Sequence, residues 1–266
     1  HRCLFKKLVR KGLPECAIAV LKDWYGKLAA VVRWNGCMSA SFKINAGVRQ
    51  GGVLSPSLFN LYMDELVERL ENSGSGCYIN RQFLGCIMYA DDILLLSASV
   101  VGLQNLLDIC YSYSVSVGLW FNSKKSVCIR IGNHMHSVIA DMHIGNQTIM
   151  WYSSLTYLGV TFVAGRNLRI DCSAVRRKFY SSSNGILHKC SRAPENVRLF
   201  LVYSYCLPLL LYCMGAVKLS SSDIADIGVC WNDVFRRIYN VPRWESVELV
   251  QFFTNSLPFK LLYHQQ

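Results

Sequence analysis

Two adjacent carboxylates set in apolar sequence are the residues best suited to chemistry. Asp91 and Asp92 follow Met88-Tyr89-Ala90 and precede Ile93-Leu94-Leu95-Leu96, and the nearest basic residues along the chain are Arg81 and Lys124. Neighbouring carboxylates repel each other and resist desolvation unless a cation compensates them. A hard divalent ion such as Mg2+ takes oxygen ligands of this kind. Side chains alternate along a strand, so only one of two neighbours faces a given site squarely. Asp91 is expected as the direct ligand and Asp92 as the flanking one. Taken alone, the pair better suits a solvated turn, where aspartate is common.

Three other segments could serve the same site. Gly47-Val48-Arg49-Gln50-Gly51-Gly52-Val53-Leu54-Ser55-Pro56 sets a glycine-rich loop against a helix start, where backbone N–H groups and the positive helix end favour phosphate. Arg49 adds charge, and Gln50 both donates and accepts hydrogen bonds toward a base or ribose. Ser55 suits the N-cap and Pro56 the first helical position. For the glycines alone, an ordinary glycine loop before a capped helix is the better reading. Gly118-Leu119-Trp120-Phe121-Asn122-Ser123-Lys124-Lys125-Ser126 falls at a strand-to-strand turn. There Lys125 could neutralise a polyphosphate or protonate a leaving group, although exposed turn lysines usually do neither. Tyr157-Leu158-Gly159-Val160 by itself fits any strand.

The elements that must position these residues follow from periodicity. Residues 1–11 carry leucines at helical spacing, and a second helix runs from the Gly12-Leu13-Pro14 break to about residue 28. Residues 30–34 and 39–44 read as strands around an Asn35-Gly36 hairpin turn. The helix opened by Ser55 has a core face of Leu58, Leu61, Tyr62, Leu66 and Leu70, and ends at Gly74 and Gly76. Apolar runs at 86–89 and 93–96 flank the acid pair, and a helix covers roughly 101–117. Strands are expected at 119–122, 126–131, 142–144, 148–151 and 157–163. Beyond a boundary near residue 164, strand signals give way to helical patterns rich in Arg and Lys.

Composition narrows the setting. In 266 residues, 52% are hydrophobic and 17% charged, which excludes disorder. A net charge of +11 points to a polyanionic partner, nucleic acid or an anionic membrane surface. The 12 cysteines are spread through apolar runs with no C-x-x-C pair, so buried free thiols in a reducing compartment are expected. His134 and His136 with Cys128 form a weak zinc grouping that reads better as a loop. Residues 199–217 carry no charge and are long enough to span a membrane, yet Ser204, Pro208 and several tyrosines favour a helix buried in a soluble core. The chain opens on His1 without a signal segment and reads as a fragment.

In this order, the four segments strongly resemble the motifs of reverse transcriptases. The 47–60 stretch is similar to motif B, and Tyr89-Ala90-Asp91-Asp92 to the Y-A-D-D box of motif C. Asn122 with Lys125 and Ser126 is similar to the N-x-x-K-[ST] of motif D, and Tyr157-Leu158-Gly159 to the primer grip. The wording Gly-Val-Arg-Gln-Gly, with Trp24-Tyr25 and Val32-Arg33-Trp34-Asn35-Gly36 before it, resembles LINE-type (non-LTR) retrotransposons. The resemblance covers residues 1–163 and is looser beyond, where Ser204-Tyr205-Cys206-Leu207-Pro208 is similar to a thumb and connector.

That resemblance implies an α+β right-hand palm, an antiparallel sheet with helices on one face, with partial fingers over 1–163 and an all-helical thumb/connector over 164–266. It implies two divalent ions, Mg2+ or Mn2+, held by Asp91 and Asp92 for two-metal nucleotidyl transfer. Lys125 would be the acid for departing pyrophosphate. Arg49, Gln50, Gly51, Gly52, Ser55, Pro56, Tyr89 and Asn122 would contact template and nucleotide, and Leu158 and Gly159 the primer. The implied partners are an RNA template, a DNA primer or target, dNTPs and the upstream part of the same polyprotein, in cytoplasm and nucleus, with no membrane.

One departure bears on activity. The family's motif A supplies another metal-binding Asp, and His1-Arg2-Cys3-Leu4-Phe5-Lys6-Lys7-Leu8 resembles the stretch just downstream of it. Asp23 lies in the helix between motifs A and B and does not replace it. The isolated chain is therefore expected to be inactive or nearly so. The rival readings are a non-catalytic nucleic-acid-binding remnant of a decayed retroelement, and a membrane protein anchored by residues 199–217.

Overall fold

A computed structural model describes residues 1–133, 137 and 139–266, so His134 and His136 of the weak zinc grouping lie outside the described residues. The packing divides into two units. The first runs from His1 to Cys128 and takes in a stretch that closes at Trp151; the second is Tyr152–Gln266 with a segment beginning at Ile129. The change in sequence character near residue 164 thus falls inside the second unit.

The first unit opens with helices α1 (Arg2–Arg10) and α2 (Glu15–Gly26). Short strands β1 (Ala29–Ala30), β2 (Arg33–Trp34), β3 (Cys37–Met38) and β4 (Phe42–Lys43) follow. β2 and β3 pair across Asn35 and Gly36, whose φ values of 46° and 80° are what a tight two-residue hairpin turn requires; β1 pairs with β4 below them. Helix α3 (Ser55–Glu71) leads to the β5 (Tyr78–Ile79) and β6 (Gln82–Phe83) pair, then to the hairpin β7 (Cys86–Tyr89) and β8 (Asp92–Leu95). Helix α4 (Val100–Val117) is capped by Ser99, whose Oγ accepts from the Gly102 N–H, and stops at Gly118 in the left-handed region. β9 (Val127–Cys128), β10 (Met142–Ile144) and β11 (Gln147–Trp151) form a sheet in which β11 pairs antiparallel with β10 and parallel with β9.

Apolar spacing explains the assembly. Met63, Leu66 and Leu70 of α3 meet Leu106, Cys110 and Tyr113 of α4 in a core on which the β7–β8 hairpin lies through Cys86, Met88, Ile93 and Leu95. A second face of α4 packs through Leu107 on Met142, Ile144 and Ile149. α1 and α2 close on Leu58 of α3 through Leu4, Leu8, Ile18 and Tyr25. Lys7, read from sequence only as a charge between leucines, is buried among them. Its Nζ donates to the Tyr62 carbonyl (2.9 Å) and the Tyr113 hydroxyl (2.6 Å) and pairs with Glu65 at 2.9 Å. Lys7, with Arg69, holds the Glu65 carboxyl below its usual range.

The second unit begins with an antiparallel sheet, β12 (Ser154–Tyr157), β13 (Val160–Val163) and β14 (Arg169–Asp171). Helices follow: α5 (Ser173–Lys189), α6 (Glu195–Tyr205), α7 (Leu207–Leu211), α8 (Ser221–Tyr239), α9 (Glu248–Phe253) and α10 (Phe259–His264). They surround Trp231, which is fully buried against Phe179, Tyr203 and Phe235 and donates its Nε1–H to the Leu257 carbonyl at 3.1 Å.

Several expectations are corrected. Residues 119–122 form no strand and approach a turn, and 126–131 shrink to β9. The single strand expected at 157–163 is a hairpin, because Leu158 and Gly159 adopt φ of 48° and 81° and reverse the chain. Strand β14 lies beyond residue 164, so the following region is not all helical. Among the described residues the sheets are small pairs and triplets, one of them mixed, where one antiparallel layer was expected. The apolar stretch 199–217 breaks between α6 and α7, where Pro208 lacks the N–H an unbroken helix would need. Among the described residues no helix is long and apolar enough to cross a membrane. All twelve cysteines are free, yet Cys3, Cys16 and Cys37 are exposed and only Cys110, Cys128, Cys172, Cys206 and Cys230 are buried.

Candidate functional site

The acid pair sits at the tip of a hairpin whose register fixes where each carboxylate stands. Cys86 is opposite Leu95 and Met88 opposite Ile93, and all four pack inward on α3 and α4. By alternation Ile87, Tyr89, Asp92 and Leu94 occupy the other face, with Tyr89 paired to Asp92. Asp91 lies in the two-residue turn between them. Both carboxylates and Tyr89 are exposed. Neither carboxylate forms a hydrogen bond or ion pair with a described residue, so their oxygens remain available.

Ala90, the other turn residue, adopts φ 52°, which an L side chain tolerates poorly. The anchored strands impose that conformation. Ala90→Gly is expected to relieve it and raise the stability of the first unit by up to ~1 kcal/mol, partly offset by the greater freedom of unfolded glycine. Comparing denaturation midpoints of the two proteins measures this, and a destabilised variant would refute the strain argument.

Sulfur beneath the hairpin is no competitor for a cation. Burial pushes the Cys86 thiol up to about 11 and that of Cys110 to about 12. Both therefore stay protonated at neutral pH, and a thiol is a poor ligand until it loses its proton. The carboxylates are donors of the right kind for Mg2+ or Mn2+, but among the described residues they belong to no group of three or more His, Cys, Asp or Glu. They fit such an ion as part of a ligand set.

Arg49, Gln50, Gly51 and Gly52 form a tight turn closed by the Gly52 N–H donating to the Arg49 carbonyl at 3.0 Å. Gly51 holds φ 76°, so glycine suits the third position. Ser55 is not the N-cap the sequence suggested. It is the first residue of α3, and its buried hydroxyl donates back to the same Arg49 carbonyl at 2.6 Å. Pro56 follows in the first helical turn, where a missing N–H costs nothing. Arg49, Gln50 and Pro56 stay exposed at the loop surface. Tyr25 packs below; burial raises its phenol, an effect the neighbouring Ser55 side chain partly offsets.

A Cβ added at Gly52 would come within 2.7 Å of Ser55 Oγ and 3.1 Å of the Arg49 carbonyl oxygen. Gly52→Ala is expected to cost about 1–3 kcal/mol by overpacking, and Ser55→Ala about 1 kcal/mol for the lost hydrogen bond. Because the clash needs the hydroxyl, the double variant should lose less than the sum. Strict additivity in thermal unfolding would contradict this picture of the loop.

The Lys125 segment is a turn organised by Asn122. Its carbonyl accepts from the Lys125 and Ser126 N–H groups, each at 3.0 Å, and its side-chain oxygen from the Lys124 N–H at 3.1 Å. Leu119 and Phe121 pack on the core shared by α3, α4 and the acid hairpin. Lys125 and Asn122 are exposed. Three of the four segments are thus rooted in one core: the loop enters α3, the turn leaves α4, and the hairpin lies on both. The fourth is in the second unit, where Leu158 and Gly159 form the β12–β13 turn. Tyr212, which sequence reasoning passed over, donates its hydroxyl to the Leu158 carbonyl at 3.0 Å, with its ring 3.1 Å from where a Gly159 Cβ would stand. Only its place between Leu211 and Cys213 in an apolar run was visible in sequence, and that gives no such signal.

Residues 1–162 match the family of reverse transcriptases (RNA-dependent DNA polymerases). Over 259 residues, 94% of this chain, there is 27% identity to a retrovirus-related Pol polyprotein from the type-2 retrotransposable element R2DM of Drosophila melanogaster, of which 23% is covered. A Pol polyprotein from the type-1 retrotransposable element R2 of Popillia japonica is 25% identical over 86% of this chain and 38% of its own length. One from the R2 element of Bradysia coprophila is 32% identical over 49% of this chain and 15% of its own. The chain therefore spans well under half the length of these relatives.

Proposed function

We propose that this chain, which belongs to the reverse-transcriptase family and is of the non-LTR retrotransposon type, contributes part of a centre that copies RNA into DNA within a longer Pol polyprotein. The observation that carries the reading is the hairpin tip: two exposed, unpartnered carboxylates on strands fixed by Cys86, Met88, Ile93 and Leu95. In this reading α3, α4 and the hairpin are the palm, the segment before α3 belongs to the fingers, and α5–α10 are a thumb and connector.

Asp91 and Asp92 would hold divalent ions, with further oxygen ligands coming from outside this pair. Bound there, such ions supply charge neutralisation for phosphoryl transfer. The chain's own residues do the rest. The Arg49–Gly52 turn presents Arg49 and Gln50 toward a template or an incoming dNTP, and Tyr89, on the face it shares with Asp92, offers a flat surface to a sugar or base. Lys125 would give its ammonium proton to the leaving pyrophosphate oxygen. The Leu158–Gly159 turn would seat the primer, backed by Tyr212. On α5 the exposed Arg177, Lys178, His188 and Lys189 flank small Ser181 and Gly185, a pattern suited to phosphates of a bound duplex with little sequence reading. Such a protein would work in cytoplasm and nucleus with its RNA.

The test is RNA-templated, Mg2+-dependent extension of a DNA primer by the polyprotein that contains this chain. Extension with dNTPs is expected. Binding of nucleic acid without any extension would favour the non-catalytic remnant instead.

A further inference from the structure

We propose that the β1–β4 ribbon is an arm that stacks on single-stranded RNA, with Trp34 as its principal contact. The proposal rests on the polymerase reading for its choice of partner and deepens it by naming a second contact surface, apart from the Arg49–Gly52 loop.

Three observations carry it. First, every residue from Val31 to Lys43 is exposed, and β2, β3 and β4 are exposed on both faces. A two-stranded ribbon with nothing packed on either face gains little stability from its side chains, yet this one carries Trp34 (81% exposed), Met38 and Phe42. Secondly, its shape is well determined. Trp34 pairs with Cys37 across the Asn35-Gly36 turn, and the Ser39 N–H donates to the Val32 carbonyl while the Val32 N–H donates to Ser39 Oγ, each at 2.9 Å. The base is tied by the Ile44 N–H to the Leu28 carbonyl at 3.0 Å, and Leu28 packs in the α1–α2 core. The indole is thus held out on an ordered support. Thirdly, no Asp or Glu occurs between Asp23 and Asp64, whereas Lys27, Arg33, Lys43 and Arg49 do. Lys27 is paired with Asp23; Arg33, Lys43 and Arg49 form no ion pair with a described residue.

Charge complementarity selects the occupant. An exposed aromatic and apolar surface could meet another protein, but a stretch this free of acid, with cations on either side of its aromatics, matches a polyanion that also offers flat faces. Unpaired bases stack on Trp and Phe while cations meet the phosphates between them. In a duplex the bases already stack on each other, so the surface should favour single strands.

The test uses this chain and a fluorescently labelled single-stranded RNA of mixed sequence, with the same RNA as a duplex for comparison. Trp34→Ala is expected to weaken single-strand binding by roughly tenfold or more, with duplex binding and the salt dependence unchanged, because no charge is removed. Trp34→Phe should retain most of the affinity. Arg33→Gln with Lys43→Gln should instead flatten the salt dependence by about one to two phosphates' worth of counterion release. Trp34 is exposed, so unaltered circular dichroism and melting are expected for both Trp34 variants. Wild-type affinity in Trp34→Ala would overturn the proposal and leave the ribbon to a protein partner; so would Trp34→Phe binding as weakly as Trp34→Ala. Neither result touches the acid pair. Conversely, absence of primer extension with the Trp34 effect present would remove the polymerase reading and leave the arm as an RNA contact.

Discussion

Asparagine in place of Asp91 or Asp92 is expected to lower RNA-templated nucleotide addition by about 10²–10³-fold, the usual loss when one preorganised charge-stabilising group is removed from a reaction centre. The substitution keeps the shape and deletes the charge. Both side chains are exposed and form no hydrogen bond or ion pair with a described residue, so nothing in the fold depends on either. Melting should therefore be unchanged, and the loss should fall on the rate of the chemical step more than on dNTP affinity. Single-turnover incorporation by the polyprotein containing this chain separates the two. A loss below about tenfold at both positions would mean that the pair does not serve the reaction. The larger effect is expected for Asp91, which stands in the turn itself, whereas Asp92 is paired across the hairpin with Tyr89.

The largest effect on stability is expected from Trp231→Ala, at about 3–5 kcal/mol. Trp231 is fully buried among Phe179, Tyr203 and Phe235, and the substitution would leave a large cavity and strand the Leu257 carbonyl that its indole N–H satisfies. Trp244 makes the matching control. It is 86% exposed, and its replacement by alanine should change stability by no more than about 0.5 kcal/mol. Urea unfolding of both variants decides the matter; similar midpoints would show that the helices of the second unit do not pack around Trp231.

What could be read in advance depended on whether a local signal matched the tertiary outcome. The acid hairpin was legible because apolar runs on either side of Ala90-Asp91-Asp92 needed to reverse there to bury one face. Helix α4 was legible through its periodicity; Ser99 opens it as an N-cap and Gly118 ends it in the left-handed region, as their types suggest. The Asn35-Gly36 hairpin followed from turn chemistry alone. The β12–β13 turn did not, because Leu158 is an unusual residue for φ 48° and only Gly159 hinted at a reversal. Residues 119–122 look strand-forming, yet Asn122 draws the following N–H groups to its own oxygens and makes a turn. Ser55 fits an N-cap by type, but the chain uses its hydroxyl to hold the Arg49 carbonyl instead. Lys7 and Tyr212 were missed for a common reason. Their partners lie more than fifty residues away, and no local pattern announces a buried lysine between two tyrosines or a phenol under a distant turn.

The residues proposed for chemistry were named from type and order, and three of their four segments grow from the core of α3, α4 and the β7–β8 hairpin. Sequence gave no means of seeing that the β1–β4 ribbon is exposed on both faces, since alternating apolar residues normally mean one buried face.

Whether Asp91 and Asp92 receive a divalent cation is tested most directly by paramagnetic Mn2+ added to the isotopically labelled chain. Selective broadening of the backbone signals of Tyr89, Ala90, Asp91 and Asp92 is predicted, reversed by excess Mg2+ and absent from a variant carrying asparagine at both positions. Broadening centred on other carboxylates such as Asp108 or Asp141, with the hairpin tip unaffected, would contradict it.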